Sequence, residues 1–230
     1  MRRESLQFER GAHDCHLYRT WAERRDVVVP FIHEGLTNSE HCILVTGACS
    51  FDSWRNEFES VGIDVQAEEQ HNRLRLLTGD AWRTPLSEGT SLSMARAALA
   101  TLRPLLHVFN GVRIVGDAQW DLDPPVTAAD VCHWEATANL VFEESDVRVI
   151  CQYSVEHYAA EFLHAALRTH GTVIWDGKRH SNRHCEAREI LRREPALNQP
   201  ASDSHAVETI LSDLGRPDSP PRRTNGRHRS

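Results

Sequence analysis

The sequence predicts an α/β fold with a mostly parallel central sheet flanked by helices. Short runs rich in valine, isoleucine and leucine alternate along the chain with longer segments whose apolar residues recur at helical spacing. Parallel strands need crossover connections of a dozen or more residues, and the helical segments supply that length. The 230 residues, of which 40% are hydrophobic, are enough for one sizeable core.

The first half of the chain contains three predicted strands and three predicted helices. In order, these are a strand at 13–18, a helix from Thr20, a strand at 41–46, a helix that stops at Gly62, a strand at 73–77 and a helix at 90–107. Thr20 and Glu23 have the spacing of a capping box, in which each side chain bonds the other's backbone N–H.

The second half continues the alternation. A strand at 112–115, a helix from Thr127 to about Glu144, a strand at 147–151, a helix capped by Ser154 and a last strand at 172–175 follow in that order. From about Pro200 the composition changes to proline, serine, aspartate and arginine, which cannot bury enough apolar surface to order itself. We therefore predict an N-terminal extension at 1–10, one domain at 11–199 and a disordered basic tail at 200–230.

Composition excludes several classes of function. The net charge of −7 gives no basic field for nucleic acid, and no apolar run approaches the length of a membrane span. The N-terminus lacks the apolar core of a signal peptide, and the six cysteines show no paired spacing. These features predict a soluble cytoplasmic protein. Lys178 is the only lysine and does not stand in a phosphate-binding Gly-x-x-x-x-Gly-Lys-Ser/Thr loop, which excludes a conventional Walker-type ATPase.

Polar side chains stand at the ends of several apolar runs, where open α/β sheets bind their ligands. Glu135 and Asn139 share one face of a helix with Cys132, close to an apolar face, so Glu135 is expected at the edge of the core, where a carboxylate needs a partner. A functional pocket acid and a helix carboxylate paired with an arginine are both compatible with this position. Asp117 and Cys151 each end a hydrophobic strand.

Two chemical alternatives arise from the same residues. Cys151 precedes a predicted helix and would be a nucleophile if its pKa were lowered, although most such cysteines are small buried hydrophobes. His13, Cys15 and His16 are metal-ligand types, but their spacing matches no standard zinc pattern, and strand alternation points His13 and His16 to opposite faces. We therefore predict no metal, no cofactor and no catalytic residue.

Taken together, the polar blocks over residues 11–185 resemble the MEDS domain, the methanogen/methylotroph sensory domain named after the repressor DcmR. The blocks are His13-x-Cys15-x-x-Tyr18, Pro30-Phe31-Ile32-x-x-Gly35-Leu36, Gly116-Asp117-x-x-Trp120, Glu135-x-x-x-Asn139, Cys151-Gln152-Tyr153 and Leu167-Arg168-Thr169-His170 with Asn182 beyond. The chain departs from the family pattern at Asp117, Ala118, Ser154 and Gly171, where the family has glutamate, methionine, aspartate and proline.

The resemblance implies a RecA-like or KaiC-like three-layer fold that has lost its phosphate-binding loop. It also implies a non-enzymatic sensor of small molecules, such as hydrocarbon derivatives, that signals to a transcription factor, a histidine kinase or an anti-sigma-type kinase. The expected ligand-binding residues are His13, Cys15, Tyr18, Asp117, Trp120, Glu135, Asn139, Cys151, Tyr153 and His170. The rival functions are a degenerate RecA-like nucleotide binder, a cysteine-dependent enzyme that uses Cys151 with His170, and a protein-interaction module that works through the tail.

Overall fold

A computed structural model describes residues 6–47, 50–83, 91–117, 127–192 and 212 of the chain. The strands are β1 (His13–Tyr18), β2 (His41–Val45), β3 (Leu74–Leu77), β4 (Val112–Asp117), β5 (Val147–Ser154), β6 (Thr172–Trp175) and β7 (Lys178–Ser181). The helices are α1 (Trp21–Thr37), α2 (Phe51–Ser60), α3 (Val65–Gln70), α4 (Gly79–Arg83), α5 (Ser91–Leu106), α6 (Ala128–Phe142), α7 (Ala160–Thr169) and α8 (Ala187–Arg192). Trp120 and all of the predicted basic tail except residue 212 lie outside the described residues.

The strands form one sheet in the order β3-β2-β4-β5-β1-β6-β7. Every neighbouring pair is parallel except β6 and β7, which are antiparallel. The α/β class and the mostly parallel sheet are therefore confirmed. β1 lies between β5 and β6, with Cys15 opposite Cys151, so the first strand of the chain is in the interior of the sheet.

Helices cover both faces of the sheet, as alternating side chains of β5 show. Ile150 packs in one apolar core with Val28 and Ile32 of α1 and Trp54 of α2. Its neighbour Val149 points to the other face and packs with α5 and α6. Because strand side chains alternate between faces, Cys151 and Tyr153 also lie under the layer formed by α6 and α7.

Two local predictions are wrong in detail. Ser154 does not cap α7, because it still pairs with Tyr18 as the last residue of β5, and its hydroxyl lies 2.7 Å from Nδ1 of His157. The capping box of α1 is only half present: Thr20 accepts from the Glu23 N–H, but the Glu23 carboxylate accepts from the backbone of Arg19.

The strand β7 was not predicted at all. It follows Asp176 and Gly177, which both have positive φ (48° and 70°), the backbone that a tight hairpin needs. The Asp-Gly pair was the available signal, but the Lys-Arg-His-Ser sequence of β7 has no apolar residue to mark it as a strand.

None of the helices in the described ranges is long and apolar enough to cross a membrane.

Gly35 of α1 marks a point where the helix touches the sheet closely. A Cβ at this position would lie 2.6 Å from Sγ of Cys42 and 2.7 Å from Cδ of Arg113. We expect Gly35→Ala to lower the free energy of unfolding by about 1–3 kcal/mol, since overpacking forces a shift of buried neighbours. Gly171→Ala is the control, because a Cβ there meets nothing within 4 Å. Denaturant titration of both variants checks this, and equal stability would contradict it.

Candidate functional site

Four side chains from four separate elements meet beneath α6 and α7. We call them the His13 cluster: His13 of β1, Glu135 of α6, Cys151 of β5 and His170, which caps the C-terminus of α7. One donor atom from each side chain lies within 4.8 Å of every other. Because β1 and β5 are neighbouring strands, His13 and Cys151 lie close together. The helices α6 and α7 lie over both strands.

Glu135 is the centre of this cluster. Its Oε2 lies 3.1 Å from Nε2 of His13, 3.6 Å from Nε2 of His170 and 3.6 Å from Sγ of Cys151. Its other oxygen, Oε1, accepts a 2.6 Å hydrogen bond from the hydroxyl of Tyr153. The side chain is 1% exposed, so this carboxylate is shielded from solvent and depends on these partners.

The surroundings of Glu135 favour its ionised form. Burial by itself would raise the pKa of this carboxyl, but the hydrogen bond from His13 and the neighbouring imidazoles outweigh burial and lower the pKa to about 2. The carboxylate of Glu135 is therefore a negative charge in the interior of the domain, next to the imidazoles of His13 and His170.

Asn139 fixes the orientation of His13. Its amide nitrogen donates to the carbonyls of Glu135 (2.9 Å) and Thr169 (2.7 Å), which leaves its Oδ1 facing Nδ1 of His13 at 3.3 Å. Because an amide oxygen only accepts, Nδ1 of His13 carries the proton in that contact. The Nε2 atom of His13 is then directed at Glu135 and Cys151.

His170 is held in the same manner. Its Nδ1 lies 2.8 Å from the carbonyl oxygen of Ala166, so Nδ1 donates and Nε2 keeps its lone pair. Nε2 is buried and has no hydrogen-bond partner among the described residues. Burial, together with the charge of His13, lowers the pKa of His170 to about 4, so its ring is neutral near pH 7.

The thiol of Cys151 is poorly suited to nucleophilic catalysis. Burial, and then the charge of Glu135, raise its pKa well above the ordinary value, so the thiol stays protonated near neutral pH. Cys15, opposite it on β1, is fully buried, and its pKa is raised for the same reasons.

A second polar group lies on the opposite face of the sheet. We call it the Arg24 cluster, and it consists of Arg24, Asp117, Thr46, Gln152 and His16. Nη2 of Arg24 lies 2.9 Å from Oδ2 of Asp117, and its Nε donates to Gln152 over 2.9 Å. Gln152 in turn lies 3.1 Å from Nδ1 of His16. Arg24 thus fills the space beside Asp117 with an internal ion pair.

The connection from β1 to α1 explains why no phosphate loop is present there. Only Arg19 and Thr20 separate the strand from the helix. A phosphate-cradling loop places four residues between its first glycine and its Gly-Lys pair, so it needs a longer turn than this one.

The ten predicted ligand-binding residues divide between the two faces of the sheet. His13, Cys15, Glu135, Asn139, Cys151, Tyr153 and His170 lie together at or beside the His13 cluster. Tyr18 and Asp117 lie with Arg24 on the other side, where the guanidinium of Arg24 is 5.3 Å from the Tyr18 ring centre. Trp120 lies outside the described residues.

Sequence reasoning missed Arg24 as part of a site. Its position three and four residues before Val27 and Val28 places it on the buried stripe of α1, where arginine is rarely found. That conflict between residue type and pattern was the available signal.

A surface depression of about 300 Å³ lies next to the His13 cluster. Its walls include Ala136, Asn139 and Leu140 of α6, together with Gly171 and Arg188. Asn139 therefore forms part of the wall of this depression and also touches His13, which places the cluster one side chain away from solvent.

Comparison with known proteins gives a matching family model and similar solved structures. A family model described as "MEDS: MEthanogen/methylotroph, DcmR Sensory domain" matches residues 12–171, more than half of the chain. The comparison with curated proteins gives no match. Among solved structures, the chain is similar to the KaiC-like protein PH0186 from the hyperthermophilic archaeon Pyrococcus horikoshii, with 13% sequence identity and a TM-score of 0.47 over 72% of this chain and 71% of that chain.

Proposed function

Because the chain belongs to the MEDS family of sensory domains, we propose that it is a cytoplasmic, non-enzymatic sensor that recognises a small molecule at the His13 cluster. The observation that carries this proposal is the buried Nε2 of His170, which points at Glu135 without a hydrogen-bond partner among the described residues. An unsatisfied buried polar atom costs about 1–3 kcal/mol, so a role other than folding accounts for it best.

The depression beside Asn139 is the proposed access path. A ligand that enters there meets the Asn139 amide first and reaches His13 behind it. The walls combine aliphatic and polar side chains, which suits a small organic molecule such as a hydrocarbon derivative with one polar group.

Output requires that the ligand favours one of two conformations. The cluster joins β1 and β5 to α6 and to the end of α7, so a ligand that changes the contacts of Glu135 or His170 changes the packing of these helices on the sheet. We propose that a regulatory protein binds the surface formed by these helices and responds to the change in their packing. Such a protein would be a transcription factor, a histidine kinase or an anti-sigma-type kinase.

A nucleotide-binding role has less support. The short β1–α1 turn leaves no room for a phosphate loop at that connection, and Arg24 already forms an ion pair with Asp117. The raised pKa of the Cys151 thiol likewise disfavours the cysteine-dependent enzyme.

A thermal-shift screen tests the proposal. We expect small organic compounds to raise the melting temperature and nucleotides to leave it unchanged, because only a ligand that binds the folded state stabilises it. Gly171→Leu places a side chain in the depression and should abolish the shift. Gly79→Leu is the matched control, since a Cβ at either glycine meets open space but only Gly171 lines the depression. No shift with any organic class, or a shift that survives Gly171→Leu, would contradict the proposal.

A further inference from the structure

We propose that the His13 cluster is a binding site for one zinc ion, with Nε2 of His13, Nε2 of His170, Oε2 of Glu135 and Sγ of Cys151 as its four ligands. The inference rests on the proposed function and deepens it: the ion occupies the cluster itself, and the small molecule binds beside it, in the depression next to Asn139. It reverses our expectation from the sequence that the chain holds no metal. The four donor types are those that zinc takes in proteins.

The distances between the donor atoms fit tetrahedral coordination. Zinc–ligand bonds of about 2.0–2.3 Å place tetrahedral ligands roughly 3.3–3.8 Å apart. The recorded separations are 3.1 Å from His13 to Glu135, 3.2 Å from His13 to Cys151, and 3.6 Å from Glu135 to both Cys151 and His170. The two remaining pairs, His170 with His13 and His170 with Cys151, have donor atoms within 4.8 Å of each other, so His170 has the largest movement to make when the ion binds.

Three of the four ligands are oriented by a second hydrogen bond, as protein metal ligands usually are. Asn139 holds Nδ1 of His13, the Ala166 carbonyl holds Nδ1 of His170, and the Tyr153 hydroxyl holds Oε1 of Glu135. Each hydrogen bond leaves the metal-ligating atom of the same side chain (Nε2 of His13, Nε2 of His170 or Oε2 of Glu135) directed into the cluster. The unpartnered Nε2 of His170 gains its missing partner when the ion binds.

Charge and position also agree with a metal. A zinc ion balances one carboxylate and one thiolate, so the occupied site is neutral in a region where an unbalanced charge is costly. The ligands come from β1, α6, β5 and the end of α7, so the ion would tie two helices to the centre of the sheet. The depression beside Asn139 gives the ion a path to the surface.

Metal titration of the full chain tests the proposal. Protein that has been treated with a chelator and kept reduced is titrated with Zn²⁺ and, separately, with Co²⁺, in the absence of any organic ligand. We expect one ion per chain, a higher melting temperature, and a cobalt spectrum with intense visible bands of tetrahedral geometry and a thiolate charge-transfer band. Absence of binding, or an octahedral cobalt spectrum without the thiolate band, would overturn the proposal.

Variants assign the ligands. Cys151→Ser should remove the charge-transfer band, whereas Cys185→Ser, which changes a part-buried thiol outside the cluster, should keep it. Tyr153→Phe should weaken zinc binding about 10–100-fold through the loss of its hydrogen bond to Glu135. Equal spectra for the two cysteine variants would show that the ion binds elsewhere and would overturn the assignment.

X-ray absorption of the zinc-loaded wild-type chain needs no variant to fold. We expect one sulfur at about 2.3 Å and three nitrogen or oxygen neighbours at about 2.0–2.2 Å. A first shell without sulfur would exclude Cys151 and overturn the proposal. Failure of metal binding leaves the screen with small organic molecules unaffected, so the two proposals fail separately.

Discussion

Replacement of Arg113 by methionine is expected to lower the free energy of unfolding by about 3–5 kcal/mol, because it leaves a buried carboxylate without its main partner. Arg113 lies on β4, and its side chain is 3% exposed. Its Nε donates to Glu40, and its Nη1 donates to Glu34 over 2.9 Å and to the carbonyl of Phe31 over 3.0 Å. These bonds fasten α1 and the start of β2 to the middle of the sheet.

The Glu40 side chain is 6% exposed, and among the described residues it keeps Arg148, at 3.0 Å, as its ion-pair partner once Arg113 is lost. A buried carboxylate that loses a partner retains its desolvation penalty, and this residual penalty is the source of the large effect. The double variant Arg113→Met with Glu40→Leu removes both partners of the ion pair. It should therefore lower the free energy of unfolding by less than the sum of the two single changes.

Arg55→Met is the matched control for this prediction. Arg55 also bonds a glutamate with both nitrogens, at 2.7 and 2.9 Å from Glu69, but the two side chains are 35% and 31% exposed. A solvent-exposed ion pair contributes about 0–1 kcal/mol, so this variant should stay close to the wild type. Urea denaturation of these variants, together with Glu40→Leu alone, gives the comparison. Similar losses for Arg113→Met and Arg55→Met would show that burial does not set the strength of the Arg113 network.

The fold class was predictable because it depends on short-range pattern. Apolar runs such as that of β4 and helical spacing such as that of α5 each involve a single segment, and their alternation implies parallel crossovers. The order of strands in the sheet is different in kind. Nothing near His13 in the sequence shows that β1 lies between β5 and β6, because that position depends on packing across the whole chain.

The candidate site was predictable in part for the same reason. Helical spacing places Glu135 and Asn139 on one face of α6, and strand alternation places Cys151 and Tyr153 on one face of β5. These local relations could be predicted from the sequence. The contact of His170 with Glu135 joins the end of α7 to the middle of α6, and no local rule gives it. The predicted ligand-binding residues lie on both faces of the sheet, because the alternation of β1 directs His13 and Tyr18 to opposite faces.

Glu135→Leu is expected to lower the free energy of unfolding of the metal-free chain by about 3–5 kcal/mol. Glu135 accepts from Tyr153 and lies 3.1 Å from His13, so leucine at this position leaves both side chains without their buried partner. Glu135→Gln keeps the shape and an oxygen for Tyr153, and should therefore lose less. The order of stability should be wild type, then Gln, then Leu.

We attribute the large loss of stability in Glu135→Leu to the buried environment of Glu135 and not to its residue type. A second glutamate, at the end of the same helix, tests this attribution. Glu143 follows α6 and pairs with Arg188 at 3.3 Å, but its side chain is 59% exposed. Glu143→Gln should change stability by about 0.5 kcal/mol or less.

A further variant, Tyr153→Phe combined with Glu135→Leu, should be more stable than the sum of the two single changes predicts, because the phenol hydroxyl that needs an acceptor is gone. If Glu135→Leu were as stable as Glu143→Gln, the buried carboxylate would not be held by His13 and Tyr153. The organisation of the site around Glu135 would then be wrong.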